Sequence, residues 1–329
     1  MGIEQELKKN LFMGQDHHWG IILAGGDGNR LKEYTERIYG YHRPKQFCAL
    51  LGTRSLLKHT ISRAQMLIPF DQIFTVVSKH HCNYFSEELV GLPLRTILVQ
   101  PCPRGTSAAI IYPLLKIYHS DPEAIVSLFP SDHFIENEER FMKYVQEANM
   151  YVEQNPESIV MLGVQPERIE SGYGWIECGS LVQSTSSNNV YSVKKFWEKP
   201  SIETNEKLMK RRCLLNTFVL IGRCSTFLQY IYQSIPEVLR TFNIINQFVD
   251  SDFEKYIVES TYHEIPDVNF SKSVLEKISE HLRVMEVKGL YWSDWGEESR
   301  VLRDIKRFSK RNYSPELYKI EKEKYYSVA

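Results

Sequence analysis

No run of about 18 apolar residues occurs in this 329-residue chain, so no helical stretch of it is long and apolar enough to span a bilayer. Charge of either sign is not in excess: 40 Lys and Arg face 41 Asp and Glu, formally −1. That balance gives no general pull toward nucleic acid or an anionic membrane surface, and a small-molecule ligand is the expectation. The six cysteines, at 48, 82, 102, 178, 213 and 224, form no C-x-x-C pair and no zinc-type spacing. Reduced packing thiols are expected. His17-His18 and His80-His81 have no ligand set near them in sequence, and no metal role is expected of either pair. The opening residues lack the basic start, apolar centre and small-residue site of a secretory signal, and Glu6 stands where a myristoylation motif carries Ser or Thr. Residues 1–16 therefore read as a polar leader to a cytoplasmic protein. No internal repeat or hexapeptide β-helix period is found.

What is present centres on residues 20–47, GIILAGGDGNRLKEYTERIYGYHRPKQF. The apolar run Ile21 to Ala24 reads as a strand buried on both faces of a parallel sheet. It breaks into Gly25, Gly26 and Gly28, which let the backbone turn sharply and bring its N–H groups close to a phosphate. The spacing GGDGNR is neither the G-x-G-x-x-G of a dinucleotide fold nor a P-loop. Arg30 and Lys45 flank the loop, and two cations beside a backbone cradle imply a polyanion such as a nucleoside triphosphate.

The texture around this loop predicts an α/β fold. Residues 55–67 carry one apolar helical stripe, 73–77 and 96–99 read as strands, and 124–129 is the most apolar strand. Strand, helix, strand at this spacing implies right-handed parallel crossovers. Strands at 159–164, 174–178, 190–197 and 214–221 form a β-rich lobe, partly antiparallel, on the same sheet. Helical patterning returns from 225 to about 280 and ends in 282–287 and a turn at Gly289, and the charged segment after Leu302 reads as an exposed terminal helix or tail. Two positions fall where ligands bind in open α/β sheets, beyond the carboxyl ends of strands. Gln100 either reads a base edge with its donor and acceptor atoms or caps the helix that follows. Asp132, after the 124–129 strand, is either a ligand in the crevice or a turn residue.

LAGGDGNRL followed by RPKQF resembles the signature of the sugar-1-phosphate nucleotidyltransferases, and within them the mannose-1-phosphate guanylyltransferases. The resemblance continues through QPCPRGTSAAI, FPSDH, YGWIE, FWEKP, LLNTFVLIG, NFSKSVLEK and WSDWGEESRVL, in the family's order, over residues 17–305. It implies a Rossmann-like, mostly parallel mixed sheet flanked by helices, of the GT-A-like type, with a sugar-binding lobe on the same sheet. Residues 17–305 would be the catalytic domain, with 17–158 the nucleotide-binding half, 159–305 the sugar-phosphate-binding half, and 306–329 a charged helix or tail.

The resemblance further implies a reaction that converts a hexose 1-phosphate and an NTP to an NDP-sugar and pyrophosphate, most simply mannose 1-phosphate and GTP to GDP-mannose, with Mg²⁺ as cofactor. Other hexose 1-phosphates or NTPs, and a non-catalytic sugar-nucleotide sensor, are the alternatives. No nucleic-acid or membrane partner is implied, and a homodimer is compatible with it. The nucleotide would be bound by Leu23, Ala24, Gly25, Gly26, Gly28, Gln100, Gly105 and Thr106. Arg30, Lys45 and Asp132 would be catalytic, and Asp132 and Asp294 would converge on one metal ion. The sugar phosphate would meet Gly174, Glu177, Glu198, Lys199 and Asn216. Departures from the family's pattern are Asn29 in the glycine loop, LLNTFV in place of WNSGMF, and the bulky Trp295 before Gly296.

Overall fold

A computed structural model describes residues 17–169, 172–184 and 188–312. The leader at 1–16 and the tail beyond 312 lie outside the described residues. One nine-stranded sheet carries the chain, with strand order β3-β2-β1-β4-β9-β6-β10-β8-β7. β1 (His18–Leu23) lies between β2 (Ile73–Ser78) and β4 (Ile125–Pro130), parallel to both, and β3 (Ile97–Gln100) extends the parallel set beside β2. β6 (Ile159–Val164) and β10 (Leu282–Val287) run parallel to each other, while β9 (Leu214–Arg223) is antiparallel to β4 and β6. At the far edge β8 (Asn189–Trp197) is antiparallel to β10 and to β7 (Trp175–Ser184). Two further strands, β5 (Phe134–Ile135) and β11 (Trp292–Ser293), pair separately.

The inner strands read as unbroken apolar runs because both of their faces are covered. Ile21 belongs to the core that packs the helix Gly105–Ser120 against helices Cys224–Ser234 and Pro236–Asn246. Its neighbour Ile22 belongs to the opposite core, with helices Leu56–Ala64 and Glu138–Gln154. Ser55 caps the first of these, its side chain accepting from the Lys58 N–H at 3.2 Å. All six cysteines are free thiols.

Three expectations need correction. β7 runs to Ser184 rather than stopping near 178, because its second half continues along the sheet edge in a hairpin with β8 and exposes Leu181 and Val182. The stretch from 225 to 280 is not continuously helical: after the helix Glu254–Thr261 the chain passes through a loop and a π-helical turn at Ser271–Leu275. The terminal helix starts at Glu298, crosses residue 305 and is not simply exposed. Val301, Asp304 and Phe308 are buried in a third core with Leu31, Tyr34 and Trp295.

Asp304 holds that core together, accepting from the Tyr291 hydroxyl at 2.6 Å and from the Trp295 indole N–H at 2.9 Å. Removing it leaves two donors without their acceptor in an apolar environment, at about 1–3 kcal/mol each. Asp304→Ala is expected to lower unfolding free energy by about 3 kcal/mol in urea melts, and a change under about 0.5 kcal/mol would refute the pairing.

Candidate active site

The sheet register gathers the residues of interest at one edge. Leu23 of β1 lies across from Val76 and Pro130, and Ser78 lies across from Gln100. β9 runs the other way, so its first residues reach the edge where β4 ends, with Asn216 across from Gly163. A cleft of about 410 Å³ opens there. Leu23, Gly25, Gly26, Gly28, Gln100, Gly105 and Thr106 line it, together with Asp132, Asp294, Gly174, Glu198, Lys199 and Asn216.

The glycine loop is shaped from below. Gly28 has φ +65°, and a Cβ there would stand 3.0 Å from the Lys45 backbone nitrogen, so only glycine passes without strain. A Cβ on Gly25 would stand 2.8 Å from Gln100 Oε1, which places the loop directly against that amide. Gln100 does not cap the following helix: its amide donates to the Tyr262 hydroxyl at 2.5 Å, and Oε1 faces the loop. Ala24 is buried rather than open to the cleft, its N–H bonded to the Val76 carbonyl at 2.8 Å. Gln46 latches the loop, donating to the Ala24 and Gly26 carbonyls at 3.0 and 2.7 Å. That role went unread in RPKQF because its acceptors are backbone atoms some 20 residues away.

Lys45 is buried and sits between the two aspartates. Its ammonium group lies 2.9 Å from Asp132 Oδ2 and donates to the Asp294 carbonyl at 2.5 Å and, more weakly, to the Trp295 carbonyl at 3.4 Å. The ammonium is thus committed to the Asp132 carboxylate and two main-chain carbonyls and does not line the main cleft. Arg30 lies beside the same group, 55% exposed, with its guanidinium 3.6 Å from Asp294 Oδ2. Arg30, Lys45, Asp132, Gly28 and Gly296 share a smaller adjoining cavity.

Asp294 also accepts from the Gly296 N–H at 2.8 Å and from the buried guanidinium of Arg300. Burial works to raise its carboxyl, but Lys45 and Arg300 outweigh it and hold the group below the usual carboxylate range. Asp132 behaves alike: burial opposes ionisation, Lys45 and His133 prevail, and the group is held low. Both are ionised at neutral pH. Burial pushes the His133 imidazole down to about 4 against the pull of Asp132, so it is neutral there. Arg300 was missed in the sequence because its connection to Asp294 depends on where the terminal helix begins.

On the far wall, burial raises the Glu198 carboxyl although Lys199 stands 3.5 Å away. The Gly174 carbonyl accepts from the Asn216 N–H at 2.9 Å and joins two strand starts, while Gly174 itself lines the cleft. Glu177 does not reach the cleft. It follows the start of β7 and pairs with Lys194 at 3.0 Å and Arg211 at 3.6 Å. Asn269, just before the π-helical turn, and Ser271, its first residue, line the cleft and were not assigned from sequence. Lys199, Phe218 and Trp295 hold positive φ of 45°, 57° and 43°. Left-handed conformations at non-glycine residues store strain and gather at functional clefts. Trp295 is tolerated because it stacks on Phe134 at 5.0 Å and its indole is bonded to Asp304.

One histidine pair is not isolated. Parallel pairing of β1 and β2 brings Asp27 of the glycine loop to His80 and His81, although 53 residues separate Asp27 from His80.

The nucleotidyl transferase family profile matches residues 19–309. The chain belongs to the nucleotidyl transferase family. It is 28% identical over 287 residues, 85% of this chain, to a mannose-1-phosphate guanylyltransferase of Salmonella montevideo. It is 27% identical over 297 residues, 88% of this chain, to one from Salmonella typhimurium. The matched segment spans 58% and 60% of the length of those two relatives. In fold it is similar to a solved structure titled mannose-1-phosphate geranyltransferase from Thermus thermophilus, with a TM-score of 0.70, 21% identity and coverage of 85% of this chain and 76% of that one. This nucleotidyltransferase family member therefore combines a family sequence match with the mixed α/β sheet of its structural neighbours. Among its described residues no helix is long and apolar enough to cross a membrane.

Proposed function

We propose that this family member transfers a nucleotidyl group from GTP to mannose 1-phosphate in the cytoplasm, forming GDP-mannose and releasing pyrophosphate. The observation that carries the reading is the meeting of Asp132, Asp294 and Lys45 beside one cleft that also holds the glycine loop, Gln100, Glu198 and Lys199. The choice of mannose and guanine is supported by the names of the relatives.

The attacking phosphate is already an anion, since the second pKa of a phosphate monoester is about 6, so no side chain need act as general base. Alignment and charge neutralisation are what remain to be supplied. The glycine loop would present N–H groups to the triphosphate, and Gln100 Oε1 would accept from a donor on the base edge. Exposed Arg30 would hold the departing pyrophosphate. Lys199 would bind the sugar phosphate, with Glu198 and Asn216 at the hexose hydroxyls. Lys45 would act as a positioning residue, holding both aspartates in place.

The donor set fits Mg²⁺: two ionised carboxylates in one cleft are the hard oxygen ligands this ion prefers. Asp132 and Asp294 would hold it, and when bound it would neutralise phosphate charge during the transfer.

The test is pyrophosphate release from a panel of GTP, ATP, UTP, CTP and dTTP, each against mannose 1-phosphate and glucose 1-phosphate with Mg²⁺. GTP with mannose 1-phosphate is expected to exceed every other pair in kcat/KM by at least about 10-fold. Chelation by EDTA is expected to stop it. No release from any pair would overturn the reading, and a different preferred pair would overturn the substrate choice alone.

A further inference from the structure

Beside the glycine loop, and outside the carboxylate pair, Asp27, His80 and His81 each bring a ligating atom to within 4.8 Å of the others. Nε2 of His80 stands 2.6 Å from Asp27 Oδ1, and Nε2 of His81 stands 3.3 Å from the same oxygen. The rings are packed with centroids 4.0 Å apart.

The surroundings orient these groups. Nδ1 of His80 is bonded to Ser78 Oγ at 2.7 Å, which turns Nε2 toward Asp27. An outer partner on the second ring nitrogen is how ligating imidazoles are commonly set. The Asp27 carbonyl accepts from His42 Nε2 at 3.1 Å and steadies the loop residue. His81 is buried, and its Nδ1 has no partner among the described residues. Burial, helped by neighbouring His80, pushes its imidazole down to about 4, leaving the ring neutral.

An Asp27–His80 ion pair would use one imidazole only, yet a second, neutral ring brings its Nε2 to the same carboxylate oxygen, so three ligating atoms meet at one point. We propose that Asp27, His80 and His81 bind a divalent transition-metal ion of the zinc class, with open positions left for water. Imidazole nitrogens favour Zn²⁺, Co²⁺, Ni²⁺ and Cu²⁺, whereas Mg²⁺ prefers the oxygen-only pair Asp132 and Asp294. The two sites therefore sort different ions by donor chemistry. His80 is 44% and Asp27 42% exposed at the side chain, so an ion has an entry path. Once bound, it would tie the glycine loop to the end of β2.

The inference does not rest on the proposed reaction, and its test reads binding. Full-length protein stripped with chelator and returned to excess Mg²⁺ is titrated with Co²⁺, following visible ligand-field bands, then with Zn²⁺ in competition. One equivalent of Co²⁺ is expected, displaced by Zn²⁺, with affinity about 100-fold weaker in His80→Ala and at least about 10-fold weaker in Asp27→Asn. Both side chains lie at the surface, and circular dichroism verifies the fold. Absence of the bands, unchanged binding in both variants, or loss of binding in Asp132→Asn with retention in His80→Ala would each overturn the proposal.

Discussion

Asp132→Asn is expected to lower kcat for pyrophosphate release by about 10³-fold, with Asp294→Asn falling as far or further. Asparagine keeps the shape and removes only the charge, so on the proposed reading the loss would measure what the carboxylates contribute to holding a cation between two repelling phosphates. Raising Mg²⁺ does not restore either variant, because a neutral amide is a weak ligand for a hard ion. Their structural effects differ. Asp294→Asn removes the nearer of two carboxylates on the buried Arg300 guanidinium, with Glu297 remaining at 3.6 Å, and breaking a buried pair from one side costs up to about 3–5 kcal/mol. In Asp132→Asn the Lys45 ammonium keeps the Asp294 and Trp295 carbonyls, and Asp132 itself is 32% exposed, so the stability loss is smaller. The double variant is expected to be little slower than the worse single one, since residues that act as a unit are not additive. Rapid-quench turnover at saturating Mg²⁺ and urea melts on the same preparations separate the two effects. Wild-type rates in both single variants would remove the metal assignment.

The parts of this molecule legible in its sequence are those where burial leaves a one-dimensional trace. β6 matches its expected bounds residue for residue, and β1, β2 and β4 are displaced by little, because two-sided burial writes an unbroken apolar run. The outer half of β7 has no such trace: its side chains face water and its pairing is with β8 alone. The terminal helix was read as exposed because its apolar residues are spaced among charges, and its burial depends on Trp295, Phe134 and Leu31 arriving from elsewhere. The same division runs through the site. Gly28 announces itself by residue type, since its conformation excludes side chains. Lys45 does not reveal that its ammonium group lies among carbonyls and a carboxylate rather than in the cleft. Glu177 looked like a sugar ligand by motif and is instead taken up by Lys194 and Arg211. His80 and His81 lacked a third ligand in sequence because Asp27 reaches them only through the pairing of β1 with β2.

Lys45→Met is the experiment that separates a phosphate-binding lysine from one that positions aspartates. Methionine fills a similar volume but removes the cation that holds Asp132 and Asp294 below the ordinary carboxylate range. With that cation gone, burial is less opposed and both carboxyls move up. The acid limb of the kcat profile is therefore expected to shift to higher pH, with a fall of about 10²-fold at neutral pH. A lysine that only gripped substrate would lower the profile without displacing that limb. Stability follows the same sign. In the wild type a carboxyl lowered on folding contributes stability that is present above its unfolded value, near 4, and is lost as pH falls through the folded value. Lys45→Met removes this contribution and leaves the half-buried Asp132 carboxylate short of its partner, at a cost of about 1–3 kcal/mol at pH 7. The gap between variant and wild type should narrow as pH drops below about 4, where Asp132 is protonated in the unfolded chain of both. Urea melts across that range, read beside the rate profile, decide the matter: a gap that stays constant with pH, together with an unmoved acid limb, would place the ammonium on the substrate instead.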